Sequence, residues 1–583
     1  MLYNGLVERG FSLFDVGEVL SSGLPLDFAT AGYFVILVWL FALIGSWIRI
    51  PACRTLHLLY IGLVSVLLAL IFVADCCLYT FWDFKIDATI FNYLDTPEGI
   101  TSSVSVLYLV VAFVVTLVFA LLFFFVLRCS LPRVILPIKR RVLSTSILLV
   151  FGGILFYFIR GGVGKATANT GMVYYSSHQF LNHSAVNPVF SIFSMIGKTQ
   201  EFEKKGNYYP EQQRAQLFSE LQYNTQSEES DSLLNTSRPN VLVILMEGFG
   251  GTFVEPLGGE PGVTPHFNRL STEGVFFTNC YANSFRTDRG TVCTFSGYPS
   301  FPDVSVMKVP EKNRTLPGIA SSLSAVGYST NFVYGGDVNF TNMQSYLRAT
   351  GYQNVVGDKS FTAEERKTHG WGVTDRIMFD YMYQQLVSNK SKKPWHTAFL
   401  TLASHDPWMV PYHRIKNNEV ANSMAYLDDC LGKFVARLRK TPQWKDLLII
   451  CLPDHGIEYP KGLTELEKRK YHIPMLWLGG AVKQPRKIEQ LCNQTDLAAT
   501  LLGQMGLRHD AFRFSRDVMS KTYRYPCAFH TFGNGFSFID STGYSVFDVV
   551  SQRTIKDAPS ISPRRIDLGK ALLQTSYDDL GKR

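Results

Sequence analysis

Apolar residues are unevenly spread along the 583-residue chain. Before about residue 160 they gather in runs of roughly 20, the length that crosses ~30 Å of hydrocarbon at 1.5 Å per residue. Four membrane spans are predicted, at 29–47, 55–81, 105–127 and 142–159, the last being the least apolar. The alternative, buried helices of a soluble core, fits poorly, because runs this long carry more charge in soluble proteins. Beyond residue 160 the pattern changes. Short apolar runs rich in β-branched residues appear at 240–246, 274–282, 329–336, 396–404, 447–456 and 473–480, with helical stretches such as 317–327 and 422–440 between them. Continuous apolar runs mark strands covered on both faces. Strands alternating with helices predict a doubly wound α/β domain with a mostly parallel central sheet sandwiched by helices. An N-terminal transmembrane helical bundle thus precedes an α/β domain. The boundaries read as 1–160 for the membrane region, 161–236 for a juxtamembrane linker containing a short amphipathic helix, and 237–583 for the second domain. The segment "FHTFGNGFSFIDSTGYSVFDVV" reads as a hairpin-rich lobe on that domain.

Charge orients the bundle. The loop after the first span carries Arg49 and Arg54, and the loop after the third carries Arg128, Arg133, Lys139, Arg140 and Arg141. The loop between the second and third spans is mainly acidic. Lys and Arg collect on the cytoplasmic side. The reading is therefore a multi-pass protein of the cell (inner) membrane, with the α/β domain facing the periplasm or the outside. The first 28 residues lack the basic start and short apolar core of a cleavable signal peptide; the opening is also compatible with the tail of a longer N-terminus. The net charge of +8 owes much to the basic loops. No basic stripe interleaved with aromatics is present, which argues against a nucleic-acid partner. The ten cysteines fit no metal-knuckle spacing, and buried free thiols are expected for most of them.

In a doubly wound sheet, ligands bind outside the carboxyl ends of the strands. Glu247 follows the first strand run, His405 follows "LTLAS", and Asp454 and His455 follow "LLIICLP". The segment "NSFRTDRGTVCTFSGYPS" (283–300) follows another and holds six serines and threonines beside Arg286 and Arg289. Each of these has an ordinary reading alone: a helix cap, a structural Asp–His pair, a loop histidine, a polar loop. Together, at the same end of one sheet, two carboxylates and an imidazole make a hard O/N donor set for a divalent cation. Such a cation lowers the pKa of a nearby hydroxyl, which threonine needs in order to attack. If Thr287 opens the following helix, its N–H groups favour an incoming anion, and Arg286 or Arg289 can clamp a phosphate oxygen.

The stretches "NVLVILMEGFG", "VTPHFNRLSTEGVFFTNCYANSFRTDRGTVCTFSG", "VYGGDVNFTNM", "LASHDPW" and "LPDHG" resemble the lipoteichoic-acid-synthase-like, phosphoglycerol transferase branch of the alkaline phosphatase and sulfatase superfamily, over roughly residues 239–502. The resemblance implies a membrane bundle followed by an outward catalytic domain. It implies a nucleophile at Thr287 that becomes a phospho-intermediate, and metal ligands at Glu247, Thr287, Asp454 and His455. It implies phosphate contacts from His405 and Arg286, and a pocket position for Asp337. The cofactor implied is one divalent metal ion, manganese or magnesium ahead of zinc. The donor implied is a membrane phospholipid carrying glycerophosphate or phosphoethanolamine, and the acceptor an envelope glycan or glycolipid. The chain departs from Gram-positive members, which carry Trp and Arg near the places of Thr341 and Met343, and looks more like Gram-negative ones, although these carry an acidic residue at the place of Thr341. The sulfatase pattern Cys-x-Pro-x-Arg is absent: Cys293 is followed by Thr294 and Phe295. A phosphodiesterase or sulfuric ester hydrolase on the same fold, and a catalytically inactive envelope-binding paralogue, stay open as alternatives. Oligomeric state is not legible.

Overall fold

The computed structural model describes residues 12–48, 53–82, 106–129, 140–195 (apart from 165 and 177), 205–223 and 229–583, with a few isolated positions besides. The chain divides into two compact units, Met1–Gln200 and Glu201–Arg583.

Among the described residues, the first unit contains four helices long and apolar enough to cross a membrane: α1 (Leu13–Gly45), α2 (Cys53–Trp82), α3 (Val106–Cys129) and α4 (Arg141–Arg160). Helix α1 starts well before the apolar run that locates the span. Ser12 caps it: its hydroxyl accepts the Asp15 N–H at 3.3 Å, and the Asp15 carboxylate accepts the Ser12 N–H at 2.5 Å. That reciprocal capping box begins a helix regardless of hydropathy, so the span is shorter than the helix that holds it. Helix α1 pairs with α4: the Trp39 indole donates to the Leu148 carbonyl at 2.7 Å, and Trp47 donates to the Thr145 hydroxyl at 2.9 Å. Gly152 lies against the Trp39 ring, where a Cβ would stand 2.6 Å from it. Buried Asp75 near the end of α2 pairs with Lys85 at 2.8 Å. The loops whose charges set the predicted orientation lie largely outside the described residues.

The second unit is built on a nine-stranded sheet, counted among the described residues. Its strands are β1 (Asn240–Met246), β2 (Val275–Tyr281), β3 (Ser329–Tyr334), β4 (Asn354–Val356), β5 (Trp395–Leu400), β6 (Leu447–Pro453), β7 (His472–Leu478), β8 (Arg486–Ile488) and β9 (Cys492–Asn493). The order is β4-β3-β5-β1-β6-β7-β2-β8, with β9 also on β2. Strands β4, β3, β5, β1 and β6 run parallel, and β7 runs against both β6 and β2. Strand β1 lies at the centre with every residue from Val241 to Met246 at 0% exposure. Leu242, Ile244 and Met246 face one core layer with Phe379 and Met382 of α6 (Asp375–Ser388) and Met424, Leu427 and Phe434 of α7 (Glu419–Leu438). Burial of the odd-numbered residues as well shows that both faces are covered, as the unbroken apolar run predicts.

Two further elements bear on function. Helix α5 (Thr287–Ser296) follows β2. A second, four-stranded antiparallel sheet, β10 (Cys527–Phe532), β11 (Gly535–Asp540), β12 (Gly543–Asp548) and β13 (Arg553–Ala558), forms the hairpin lobe and precedes α8 (Pro563–Lys582). Arg565 of α8 is fully buried and donates to Ser545 at 2.8 Å, Thr542 at 2.6 Å and Asp557 at 2.7 Å.

Replacing Ile244 with alanine removes buried methyl groups from the central strand. It is expected to destabilise the second unit by about 2–5 kcal/mol, read as a lower denaturant midpoint in tryptophan fluorescence. No change in midpoint contradicts the placement of β1.

Candidate active site

Strand register builds the site. In the parallel pair β1–β6, Met246 lies opposite Pro453, so the next residues, Glu247 and Asp454, leave the sheet side by side. On the other flank Leu245 pairs with Leu400 of β5, which brings Thr401 to Glu247. The Glu247 N–H donates to the Thr401 hydroxyl at 3.0 Å, and the Ser404 hydroxyl donates to the Glu247 carbonyl at 2.6 Å. The Thr401–Ser404 loop is held in turn by Asp375 at the start of α6, whose carboxylate accepts the N–H groups of Leu402 and Ala403 at 2.8 and 3.1 Å. Burial raises the Asp375 pKa to about 6 against those two bonds.

Thr287 arrives from β2. The 282–286 segment passes over the start of β7, with the Ala282 N–H on the Tyr471 carbonyl at 2.8 Å. Ser284 reaches the Asp454 carbonyl at 3.4 Å. Helix α5 then comes down on the tip of β6: a Cβ on Gly290 would stand 2.2 Å from the Asp454 oxygen, so only glycine allows this approach. Thr287 is the first residue of α5, which meets the condition set for anion binding at its start, and its hydroxyl donates to Glu247 Oε2 at 3.0 Å.

Ligand-type atoms of Glu247, Asp454 and His455 all lie within 4.8 Å of one another. His455 Nε2 is 3.5 Å from Glu247 Oε1 and 3.4 Å from Asp454 Oδ2. Its Nδ1 lies 3.1 Å from the Gly456 carbonyl. A carbonyl only accepts, so Nδ1 carries a proton, and when the ring is neutral its Nε2 lone pair faces the cluster. Asp454 Oδ1 accepts the N–H groups of Gly248 and His455, each at 2.9 Å. Asp454 Oδ2 is buried and makes no hydrogen bond. Burial, then the neighbouring Asp454, push the Glu247 pKa to about 8. Burial works against a charged His455, but Asp454 and Glu247 outweigh it and raise its pKa. Two buried carboxylates, an imidazole lone pair and an orphaned carboxylate oxygen fit a hard divalent cation.

The remaining candidates lie around this cluster. His405 is half-buried; its Nδ1 donates to the Asp406 carbonyl at 2.7 Å, which leaves Nε2 for other partners, and its ring packs edge-on against Trp371 at 4.7 Å. His405 is near enough to His455 to lower the latter's pKa slightly. Asp337 is half-buried and accepts the Asn339 N–H at 3.0 Å. Tyr334, ending β3, lies within electrostatic reach of Glu247, Asp454 and Asp337. Arg286 is the exposed N-cap residue of α5. Arg289 turns inward: its Nε donates to the Phe301 carbonyl at 3.2 Å, and its guanidinium lies over the Phe285 ring at 4.8 Å. The six cysteines of the second unit are free and buried. Burial pushes the Cys293 thiol up, so it offers no thiolate.

Several supporting residues carried no sequence signal of their own. Gln494 donates to the Asp454 carbonyl at 2.8 Å and accepts the Asn283 N–H at 3.1 Å, tying the β6 tip to the segment before Thr287. The hairpin lobe braces the same segment: the Thr531 N–H donates to the Asn283 carbonyl at 2.9 Å, and His530 Nδ1 reaches the Ala282 carbonyl at 3.0 Å.

Residues 239–507 match the Sulfatase family. The chain is 22% identical over 313 residues to "Lipoteichoic acid synthase 2" of Bacillus subtilis, covering 49% of this chain and 48% of that protein. It is 23% identical over 292 residues to "Phosphoglycerol transferase I" of Xanthomonas euvesicatoria, covering 45% and 40%. Thus the matched region spans half or less of these relatives' length. Among solved structures, a protein in the alkaline phosphatase superfamily from Vibrio parahaemolyticus superposes with a TM-score of 0.55 at 26% identity, covering 64% of this chain and 98% of that one.

The shifted ionisation of Glu247 and His455 makes folded stability depend on pH. A glutamate raised from 4.5 to about 8 keeps an extra proton in the folded state, so folded stability falls as pH rises across that window. His455, raised above 6.5, stabilises the fold below 6.5 and stops doing so as pH passes its raised value. Both act in one direction. Chelator-treated protein is therefore expected to melt at lower temperature as pH goes from about 4.5 to about 8, and Glu247→Gln to flatten that slope. An equally steep slope in the variant contradicts the assignment.

Proposed function

The chain carries a sulfatase-family domain at residues 239–507, and from that premise we propose that it is a membrane-anchored phosphotransferase. It takes a phospholipid headgroup, glycerophosphate or phosphoethanolamine, onto Thr287 and passes it to an envelope glycan or glycolipid. The observation that carries this reading is the Thr287 hydroxyl, 3.0 Å from Glu247 inside a cluster of buried carboxylates and imidazole. The names of the relatives support a headgroup transferase in preference to a sulfatase. So does a threonine at the head of α5, with the nearby Cys293 buried and protonated.

Glu247, Asp454, His455 and Thr287 would hold a divalent cation, manganese or magnesium in this reading. When bound, it supplies charge neutralisation at the phosphate and favours the ionised threonine hydroxyl. The chain's own groups do the rest. Glu247 accepts the Thr287 hydrogen bond and orients Oγ1. The N–H groups at the start of α5 favour the incoming anion. Oγ1 gives up its proton to solvent and forms a bond to phosphorus while the bond from phosphorus to the diacylglycerol oxygen breaks, that oxygen taking up a proton as it leaves as the alcohol. His405, held by Asp406 and Trp371, donates Nε2–H in its imidazolium form to a phosphate oxygen and passes that proton to the departing alcohol. In the second half an acceptor hydroxyl gives its proton to the His405 ring and forms a bond to the phosphothreonine phosphorus, while the bond from phosphorus to Oγ1 breaks and Oγ1 regains a proton from solvent. Asp337 and Arg286 shape the headgroup side. The four apolar helices keep the domain beside its lipid donor, with the domain on the periplasmic or outer side.

After incubation with mixed phospholipids, the Thr287 peptide is expected to gain the mass of one headgroup phosphate, and that mass names the headgroup. Thr287→Ala should lose both the adduct and turnover, by about 10³-fold or more. Normal turnover in that variant moves the nucleophile elsewhere. Release of headgroup to water at equal rate with and without acceptor favours the hydrolase reading.

A further inference from the structure

Thr287 is followed by a second buried acid. Asp288 is 5% exposed and stands one residue from the oxygen that must meet a phosphate anion. Its Oδ1 accepts the Arg289 N–H at 3.1 Å, while its Oδ2 is buried and makes no hydrogen bond. An uncompensated carboxylate here would repel the substrate at short range, where little water screens it. Two cations approach it. Arg289 lies 3.8 Å from Oδ1 but is tied to the Phe301 carbonyl and the Phe285 ring, with its side chain only 10% exposed. Lys308 places Nζ 3.5 Å from Oδ2 with its side chain 51% exposed.

The Lys308 contact has an unusual character. At 3.5 Å it is longer than a seated charge-assisted bond, ~2.7–2.9 Å. The ammonium therefore balances the Asp288 charge without giving up its three N–H donors. Its backbone, in contrast, is fixed. The turn Val306–Lys308 packs against α5 and against the turn Phe340–Asn342. The Met307 carbonyl accepts from Asn313 at 3.1 Å and from Asn342 at 3.3 Å, and the Thr341 hydroxyl lies 3.5 Å from the Met307 sulfur. Thr341 and Asn342 both hold left-handed backbone, at φ 56° and 66°. A β-branched residue there is strained, and such strain persists where surrounding contacts enforce it. A pinned turn thus delivers a solvent-reaching ammonium to the junction between the Thr287 helix and the Asp337–Asn342 pocket segment.

We propose that Lys308 is a phosphate-binding residue: it neutralises Asp288 and closes on a non-bridging oxygen of the phosphodiester presented to Thr287. The inference rests on the phosphotransferase reading for the identity of the substrate, but the anion site itself can be tested separately.

The test uses the full chain in detergent with manganese present, at fixed ionic strength, and compares the parent with Lys308→Met and Lys308→Arg. Inorganic phosphate is titrated calorimetrically, and formation of the Thr287 adduct is followed against phosphatidylglycerol concentration. Loss of a hydrogen bond to a charged group is expected to weaken phosphate binding about 10-fold or more in Lys308→Met. The half-saturating donor concentration should rise by a similar factor, with the maximal adduct rate changed by less than about 3-fold, and Lys308→Arg should restore most of the loss. Thermal melting of both variants checks that they fold. Parent-like phosphate binding in folded Lys308→Met overturns the proposal, as does a parent that binds no phosphate. A parent that binds phosphate through Lys308 yet never forms the adduct sinks the phosphotransferase reading and leaves the anion site standing.

Discussion

The register between two parallel strands governs this site. Met246 faces Pro453 across β1 and β6, and each strand continues by one acidic residue. Two carboxylates that lie more than 200 positions apart in sequence are thereby forced together, both nearly inaccessible to water. Left alone, such a pair is unfavourable: burial and mutual repulsion push the Glu247 pKa to about 8, and one oxygen of Asp454 finds no donor. The fold tolerates this because the strands are locked by the core on both faces. The unfavourable charge is also what gives a divalent cation a reason to bind there, and binding it would relieve the strain the fold imposes.

The rest of the unit can be understood as support for that pair. Gly290 lets α5 settle on the Asp454 backbone, which delivers Thr287 to Glu247. Asp375 fixes the loop whose Thr401 and Ser404 fasten the Glu247 backbone. Gln494 spans from the β6 tip to Asn283, and the β10 strand grips the same segment from the other side. The hairpin lobe, whose purpose is opaque in sequence, therefore acts as a brace for the approach to the hydroxyl. Charge balance extends outward from the pair through Asp288 and Lys308, where a second buried acid requires its own neutralising partner.

Much of this was legible in the sequence because the signals are local. Continuous apolar runs located β1 to β3 and β5 to β7 to within a few residues, and the polar residues ending those runs pointed to Glu247, Asp454, His455 and His405. Thr287 was one hydroxyl among several in its segment, and its place at the start of α5 entered only as a condition that the structure meets. The family resemblance drew the same residues into one site, and the sulfatase-family match covers that stretch. What stayed hidden depends on pairing across long separations. Nothing near Gln494, Asp375 or Thr531 announces that their partners lie at the β6 tip, in the 401–404 loop and before α5. Lys308 is likewise one lysine among many until the turn that carries it is seen against Asp288. The start of α1 was missed for a different reason: hydropathy reports the membrane span, whereas the Ser12–Asp15 capping box sets the helix.

The central claim, that strand register gathers these side chains into one cation site, is tested most directly by anomalous diffraction from crystals grown with manganese. A single strong peak bounded by Glu247, Asp454 and His455 is expected, with the Thr287 hydroxyl beside it. A peak held by other residues, or none at that position in otherwise well-ordered crystals, would contradict it.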